Sequence, residues 1–226
     1  MLKRALLKRV LLTLALLLPA LVFAQAGTAP AKPAAKAPAK AAPAKKAEAP
    51  ADATEKAAAT KVLIKTNLGD MTVELYPEKS PKSVENFLAY VNSGFYDGTV
   101  FHRVIDNFMI QGGGFTRDLH QKPTRGAITN EAKNGLSNTR GTLAMARTGD
   151  PNSATAQFFI NVVDNPRLDY TSDANGATWG YAVFGKVTSG LDVVDKIKAV
   201  PTGAQGPFKS DVPVTPVVIE KISVIK

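Results

Sequence analysis

The chain has 226 residues, with 28 Lys+Arg against 19 Asp+Glu, two His and no Cys. Disulfides, thiolate nucleophiles, Cys-ligated metal centres and a lipidated-Cys anchor are therefore excluded, and two histidines cannot build a three-His metal site. A hydrophobic share of 45% excludes wholesale disorder, whereas the net charge of +9 raises nucleic-acid binding as a possibility, so the location of that charge matters.

Residues 1–26 begin with Lys3, Arg4, Lys8 and Arg9, continue as an apolar run from Val10 to Ala24, and end in Ala24-Gln25-Ala26. A basic start, a short apolar stretch and a small-x-small end read as a secretory signal peptide cleaved after Ala26. The run of 15 residues would span about 22 Å, less than the roughly 30 Å hydrocarbon core, and it contains Pro19. No stable membrane insertion is expected after cleavage. Residues 27–60 hold 16 Ala, 5 Pro and 6 Lys, and no aromatic residue. Such a segment buries too little apolar surface to offset its ordering entropy and reads as a disordered Ala/Pro/Lys tether. Residues 61–226 form the folded domain and carry 18 basic and 16 acidic side chains. The basic excess thus lies mostly ahead of the domain, and no nucleic-acid partner is expected. The export signal places the mature protein in the periplasm, with secretion as the second possibility.

Within the domain, Val62–Thr66 and Met71–Tyr76 flank Asn67-Leu68-Gly69-Asp70 and predict a hairpin. Ser80-Pro81 predicts a helix start with Ser80 as N-cap, and Val84, Phe87, Leu88 and Val91 continue at helical spacing until Gly94. Short strands are predicted over Thr99–Val104, Phe108–Gln111, Gly141–Ala146, Gln157–Val162 and Tyr181–Val187. A second helix runs from Leu191 to Ala199, stopped by Pro201, and Val217–Ile225 reads as a closing strand. Many short strands with two helices and Gly-rich turns predict a mainly β domain, either a barrel or a sandwich, with helices at its ends.

The densest stretch runs from Val100 to Phe115 and includes Gly112, Gly113 and Gly114. No Gly-Lys-Ser/Thr follows, so a phosphate loop is a poor reading. If Arg103 and Gln111 come from neighbouring strands, they meet across a cleft beside Phe108 and Met109, combining a planar array of donors with an apolar slot; periodicity alone favours an ordinary barrel strand with a surface Arg and core Phe and Met. His102 neighbours Arg103 on a strand, where alternation points it to the opposite face and into the core or barrel interior. Asp150–Asn152 and Asp169–Asn175 lack EF-hand spacing and read as polar loops; no metal site and no cofactor is expected.

Phe101-His102-Arg103, Phe108 to Gly113, Leu143 to Ala146, Gln157 to Ile160 and Val183 to Val187, taken in this order, resemble the cyclophilin-type peptidyl-prolyl cis–trans isomerases. With the signal peptide and Asn134 to Gly141, the chain is most similar to the exported bacterial branch. The resemblance implies a closed eight-stranded antiparallel β-barrel capped by two α-helices. It also implies an isomerase acting on X–Pro bonds in unfolded or loop segments of exported proteins, as a monomer without cofactor. Arg103 matches the catalytic arginine. Phe108, Met109 and Phe159 match the proline pocket, Leu168 its rim, and Gln111 the residue that steadies the arginine. Ala146 and Arg147 match the substrate-binding strand edge, with Gln157 alongside. Two positions depart from many members: Arg167 stands where a Trp precedes Leu-Asp, which puts tight cyclosporin binding in doubt, and Tyr181 stands in place of a His. Trp179 fills neither position and reads as a packing residue of a longer loop. The alternative is a proline-binding holdase of the cell envelope with incidental isomerase activity.

Overall fold

The computed structural model describes residues 60–225. The expected signal peptide and nearly all of the expected tether lie outside the described residues. Strands β1 (Lys61–Thr66), β2 (Gly69–Leu75), β3 (Thr99–Ile105), β4 (Met109–Thr116), β5 (Thr142–Met145), β6 (Phe158–Asn161), β7 (Val183–Ser189) and β10 (Val218–Ile225) close a barrel. The strand order is β1-β10-β3-β4-β6-β5-β7-β2, and every pairing is antiparallel. Closure leaves no exposed sheet edge in the barrel. The predicted hairpin is present, with Thr66 opposite Gly69 across Asn67-Leu68. Its alternation is clean: Val62, Ile64, Met71, Val73 and Leu75 are buried, and the residues between them are more exposed.

Helix α1 (Pro81–Asn92) presents Val84, Phe87 and Val91 to the barrel, and α2 (Leu191–Lys198) presents Val193, Val194 and Ile197. The Phe87 ring lies 5.2 Å from Phe184 and meets Phe158 edge-on at 5.6 Å, so α1 joins the barrel core through aromatic contacts. The helix start differs from the expected one. Ser80 makes no side-chain cap; its hydroxyl donates to the Val183 carbonyl at 2.6 Å instead. The free N–H groups of the first turn are taken by Glu131, whose Oε1 accepts from Lys82 N at 3.0 Å and Oε2 from Ser83 N at 2.8 Å.

β4 runs on to Thr116, straight through the three glycines, which therefore do not end the strand. At Gly113, with φ +79°, a Cβ would come within 2.8 Å of Tyr96 and 2.9 Å of Phe158. A Cβ on Gly114 would overlap the Gln157 side chain. Glycine is thus required by close approach as well as by backbone conformation. A second, two-stranded sheet had no counterpart in the expected elements: β8 (Thr202–Gln205) and β9 (Phe208–Pro213) form a hairpin whose β9 lies against β3.

Candidate active site

β3 bulges beside its arginine. Phe101 pairs with Gly112 and Arg103 with Gln111, so two steps along β3 match one along β4 and His102 is the extra residue. Phe101 and Val104 both enter the barrel core, three positions apart instead of two. His102 and Arg103 consequently line one and the same outer cleft. Simple alternation had put His102 on the opposite face, in the core or barrel interior. The residue is buried, at 2% exposure, but under the added hairpin: its ring lies 4.5 Å from Phe115 and 5.5 Å from Phe208. Burial, aided by the adjacent Arg103 charge and opposed by a hydrogen bond to the Val100 backbone, pushes the imidazole down to about 4. Among the described residues its Nδ1 has no hydrogen-bond partner.

From Arg103 a row of side chains crosses the outer wall of the barrel. Arg103 is opposite Gln111, Gln111 is opposite Phe159, and Phe159 is opposite Ala144. A second apolar cluster, separate from the barrel core, forms on this wall from buried Met109, Ala144, Phe159 and Val183, with Ile105, Phe108, Leu136, Ala146, Leu168 and Tyr181 at its margin. Phe108 sits at the end of a tight turn through Asn107, whose φ is +59°. Its carbonyl is held by Val162 N at 3.1 Å and Asn165 Nδ2 at 2.8 Å. Leu168 ends a short 3-10 turn, and its carbonyl accepts from Tyr181 N at 2.8 Å. The Tyr181 ring meets Phe159 edge-on at 5.5 Å, and the Arg147 guanidinium lies 4.4 Å over its face.

These residues enclose a cavity of about 90 Å³ lined by Arg103, Phe108, Met109, Gln111, Ala146, Arg147, Phe159, Leu168 and Tyr181. Nine of the ten positions singled out from the sequence therefore meet at one pocket. The tenth, Gln157, lines the adjoining cleft of about 580 Å³, which shares Arg103, Gln111, Ala146 and Arg147. Gln111 Nε2 donates to Gln157 Oε1 at 2.9 Å, so its amide is tied to Gln157, not to the arginine. Among the described residues the Arg103 guanidinium takes part in no ion pair. Ala146 N donates to the Gln157 carbonyl at 3.0 Å.

Sequence reasoning missed the far wall of the larger cleft: Phe115, Gln121, Thr124, Thr148, Ser153, Thr155 and Phe208. Phe208, an isolated aromatic in a polar stretch, was the one legible signal. Trp179 packs edge-on against Tyr170 at 5.9 Å, within its own loop.

An apolar slot beside an uncompensated guanidinium, with polar groups along one side, suits a proline-containing peptide. Residues 61–224 match the family described as cyclophilin type peptidyl-prolyl cis-trans isomerase. The chain is 61% identical over 165 residues to the peptidyl-prolyl cis-trans isomerase cyp18 of Streptomyces antibioticus, covering 73% of this chain and 98% of that one. It is 55% identical to peptidyl-prolyl cis-trans isomerase B of Escherichia coli strain K12, covering 72% of this chain and 98% of that one. A crystal structure of a Cryptosporidium parvum cyclophilin type peptidyl-prolyl cis-trans isomerase superposes with a TM-score of 0.61 at 29% identity, covering 75% of this chain and 99% of that one. A second structure of the Cryptosporidium protein was determined in the presence of the dipeptide Ala-Pro. With its closed barrel, its pocket and these relatives, the chain belongs to the cyclophilin-type peptidyl-prolyl cis–trans isomerase family.

Proposed function

We propose that Arg103 is the catalytic residue of a peptidyl-prolyl isomerase that seats the proline ring against Phe108, Met109 and Phe159, beneath Leu168 and Tyr181. The observation that carries this reading is the pocket itself, in which the Arg103 guanidinium borders an apolar cluster and joins no ion pair among the described residues, while the second guanidinium, that of Arg147, is held by carbonyl oxygens and the Tyr181 ring. The X–Pro bond is a partial double bond, with a rotation barrier of about 18–20 kcal/mol. Twisting it localises the nitrogen lone pair and pyramidalises the nitrogen. A donor array directed at that nitrogen is favourable only in the twisted form, so it lowers the barrier instead of merely tightening binding. No proton transfer and no nucleophile is needed. The Ala146 carbonyl and the Gln111–Gln157 amide pair supply polar partners along the peptide backbone.

The clients are proline-containing unfolded or loop segments of exported proteins, met by a monomer in the periplasm. The basic start, apolar run and Ala-Gln-Ala end of residues 1–26 support this placement.

Isomerisation of a proline tetrapeptide by the purified mature chain tests the activity, and Arg103→Ala tests the mechanism. The variant should fold, because the side chain borders an open cleft. Its kcat/KM should fall by about 10²–10³, equivalent to about 3–4 kcal/mol of transition-state stabilisation. A kcat/KM within about threefold of the parent would overturn the role of Arg103 and favour a binding module that needs only the apolar slot.

A further inference from the structure

The domain from Lys61 onward is close to neutral, with 18 basic and 16 acidic side chains. Around the pocket the balance is different. The pocket and the larger polar cleft share Arg103 and Arg147. Beyond Phe108 and Leu168, a third cleft of about 530 Å³ runs along Asn107 and Val163 to Arg167. A peptide seated in the pocket therefore extends along walls that carry three guanidinium groups.

None of the three is neutralised. Among the described residues Arg147 is held by carbonyl oxygens, those of Thr148, Gly176 and Gly180 at 2.7–3.0 Å, and by the Tyr181 ring, with no carboxylate partner. Among the described residues Arg103 and Arg167 join no ion pair. The nearby acids are engaged elsewhere. Asp164 is the one carboxylate lining any of the three clefts, and its Oδ1 accepts from Arg140 N at 2.7 Å. Asp106 pairs with Lys198 at 3.5 Å, and Asp169 accepts from Asn138 N at 2.7 Å. The pocket and the polar cleft thus carry Arg103 and Arg147 and no carboxylate among the described residues, and the third cleft carries Arg167 beside Asp164; a concave wall of one sign, backed by low-dielectric protein, concentrates the field and attracts charge of the opposite sign.

We propose that this enzyme selects X–Pro segments flanked by acidic residues. The inference rests on the isomerase reading above and names the substrate class of that same site. Each extended residue advances about 3.3–3.6 Å, so carboxylates within three positions of the proline fall within about one Debye length of the guanidinium groups at 0.1 M salt. Attraction is strongest on the flank bordered by Arg103 and Arg147, and on the other flank Arg167 offsets the Asp164 carboxylate that shares its cleft.

The test compares three peptides with one Ala-Pro core, flanked on both sides by two Glu, two Ala or two Lys. Exchange is followed by NMR, which avoids a coupling protease with its own charge preference. At about 20 mM salt, kcat/KM should be about fivefold higher for the Glu peptide than for the Ala peptide, and about fivefold lower for the Lys peptide. At about 0.5 M salt the three should converge to within about twofold. Arg167→Glu should reduce the Glu-to-Lys ratio, and Arg167→Gln should reduce it less. Equal turnover of all three, or a preference for Lys, with the Ala peptide still turned over, overturns the charge selection and leaves the isomerase intact. Absence of turnover for every peptide overturns both. A Glu preference that persists at high salt and in Arg167→Glu overturns the electrostatic assignment.

Discussion

His102 shows how one side chain links the site to the stability of the domain. Its imidazole is buried against Phe115 and Phe208, next to Arg103, with Nδ1 unpartnered. Folding therefore lowers its affinity for a proton, from the ordinary imidazole value of 6.5 to about 4, chiefly through burial. Above pH 6.5 both folded and unfolded chains hold it neutral, and its protonation costs no stability. As pH falls from 6.5 towards 4, the unfolded chain takes up the proton first and the folded state loses ground. The shift corresponds to about 3 kcal/mol at most, all of it lost by about pH 4. Urea titrations of the parent and of His102→Gln across this range should show a steeper fall in unfolding free energy for the parent. Parallel curves would mean that the imidazole titrates normally in the fold.

Arg167 is a second residue with a separable prediction. It stands where cyclosporin-sensitive members carry Trp, in the 3-10 turn that also presents Leu168. A charged, strongly hydrated side chain is costly to desolvate against an apolar macrocycle. Inhibition should be weak in the parent, and Arg167→Trp should tighten it by about tenfold or more. Nanomolar inhibition of the parent in a titration would remove the basis for this expectation.

Among the elements, α1 and β3 show where local reasoning succeeds and where it stops. The apolar spacing of Val84, Phe87 and Val91 is a local property, and the helix forms where that spacing predicts it. Its cap is not local. Ser80 has the right chemistry at the right place but is drawn to the Val183 carbonyl, while Glu131 reaches the helix from 48 residues away in sequence. Both carboxylate oxygens accept from first-turn N–H groups, and the Ser83 hydroxyl adds a third bond at 2.7 Å. Charge-assisted bonds at a helix N-terminus are among the stronger capping contacts. Glu131→Ala should cost about 1–2 kcal/mol, lowering the melting temperature by roughly 2–8 °C, whereas Ser80 should be sensitive through its buried bond and not through capping. An unchanged melting temperature for Glu131→Ala would show that water replaces the carboxylate at no cost.

β3 reads correctly as a strand, but the bulge at His102 depends on how it pairs with β4. Period-two alternation is a property of one strand, whereas a bulge is a property of two. Consequently the strand was legible and the facing of His102 was not. The β8–β9 hairpin was illegible for a related reason. Its alternation is weak, with Phe208 half-buried and most neighbours exposed, and only its docking over β3 makes it part of the site.

At the scale of the whole molecule, barrel closure brings the site together from four separate stretches, around Arg103–Gln111, Ala146–Arg147, Phe159–Leu168 and Tyr181. Thr60, the first of the described residues, is tied to the barrel, because its carbonyl accepts from Leu75 N at 2.9 Å. A mature chain further trimmed of residues 27–59 should therefore keep its melting temperature within about a degree and its tetrapeptide kcat/KM within about twofold, since that segment offers no aromatic residue to the core. A large loss of stability would show that the tether contributes to the fold.

Sequence alone determined the family, because a run of blocks in order, from Phe101-His102-Arg103 to Val183–Val187, is specific even when each block is not. Carried over position by position, that resemblance also named the nine residues that line the pocket, whereas periodicity alone read the stretch around Arg103 as an ordinary strand. Only the tertiary structure decided which groups satisfy one another. Gln111 turns to Gln157, Glu131 takes the helix cap, and Arg147 spends its donors on the carbonyls of Thr148, Gly176 and Gly180. Hydrogen bonds need contact in space and are indifferent to separation along the chain, so apart from the neighbouring Thr148 carbonyl these partners meet only once the barrel has closed.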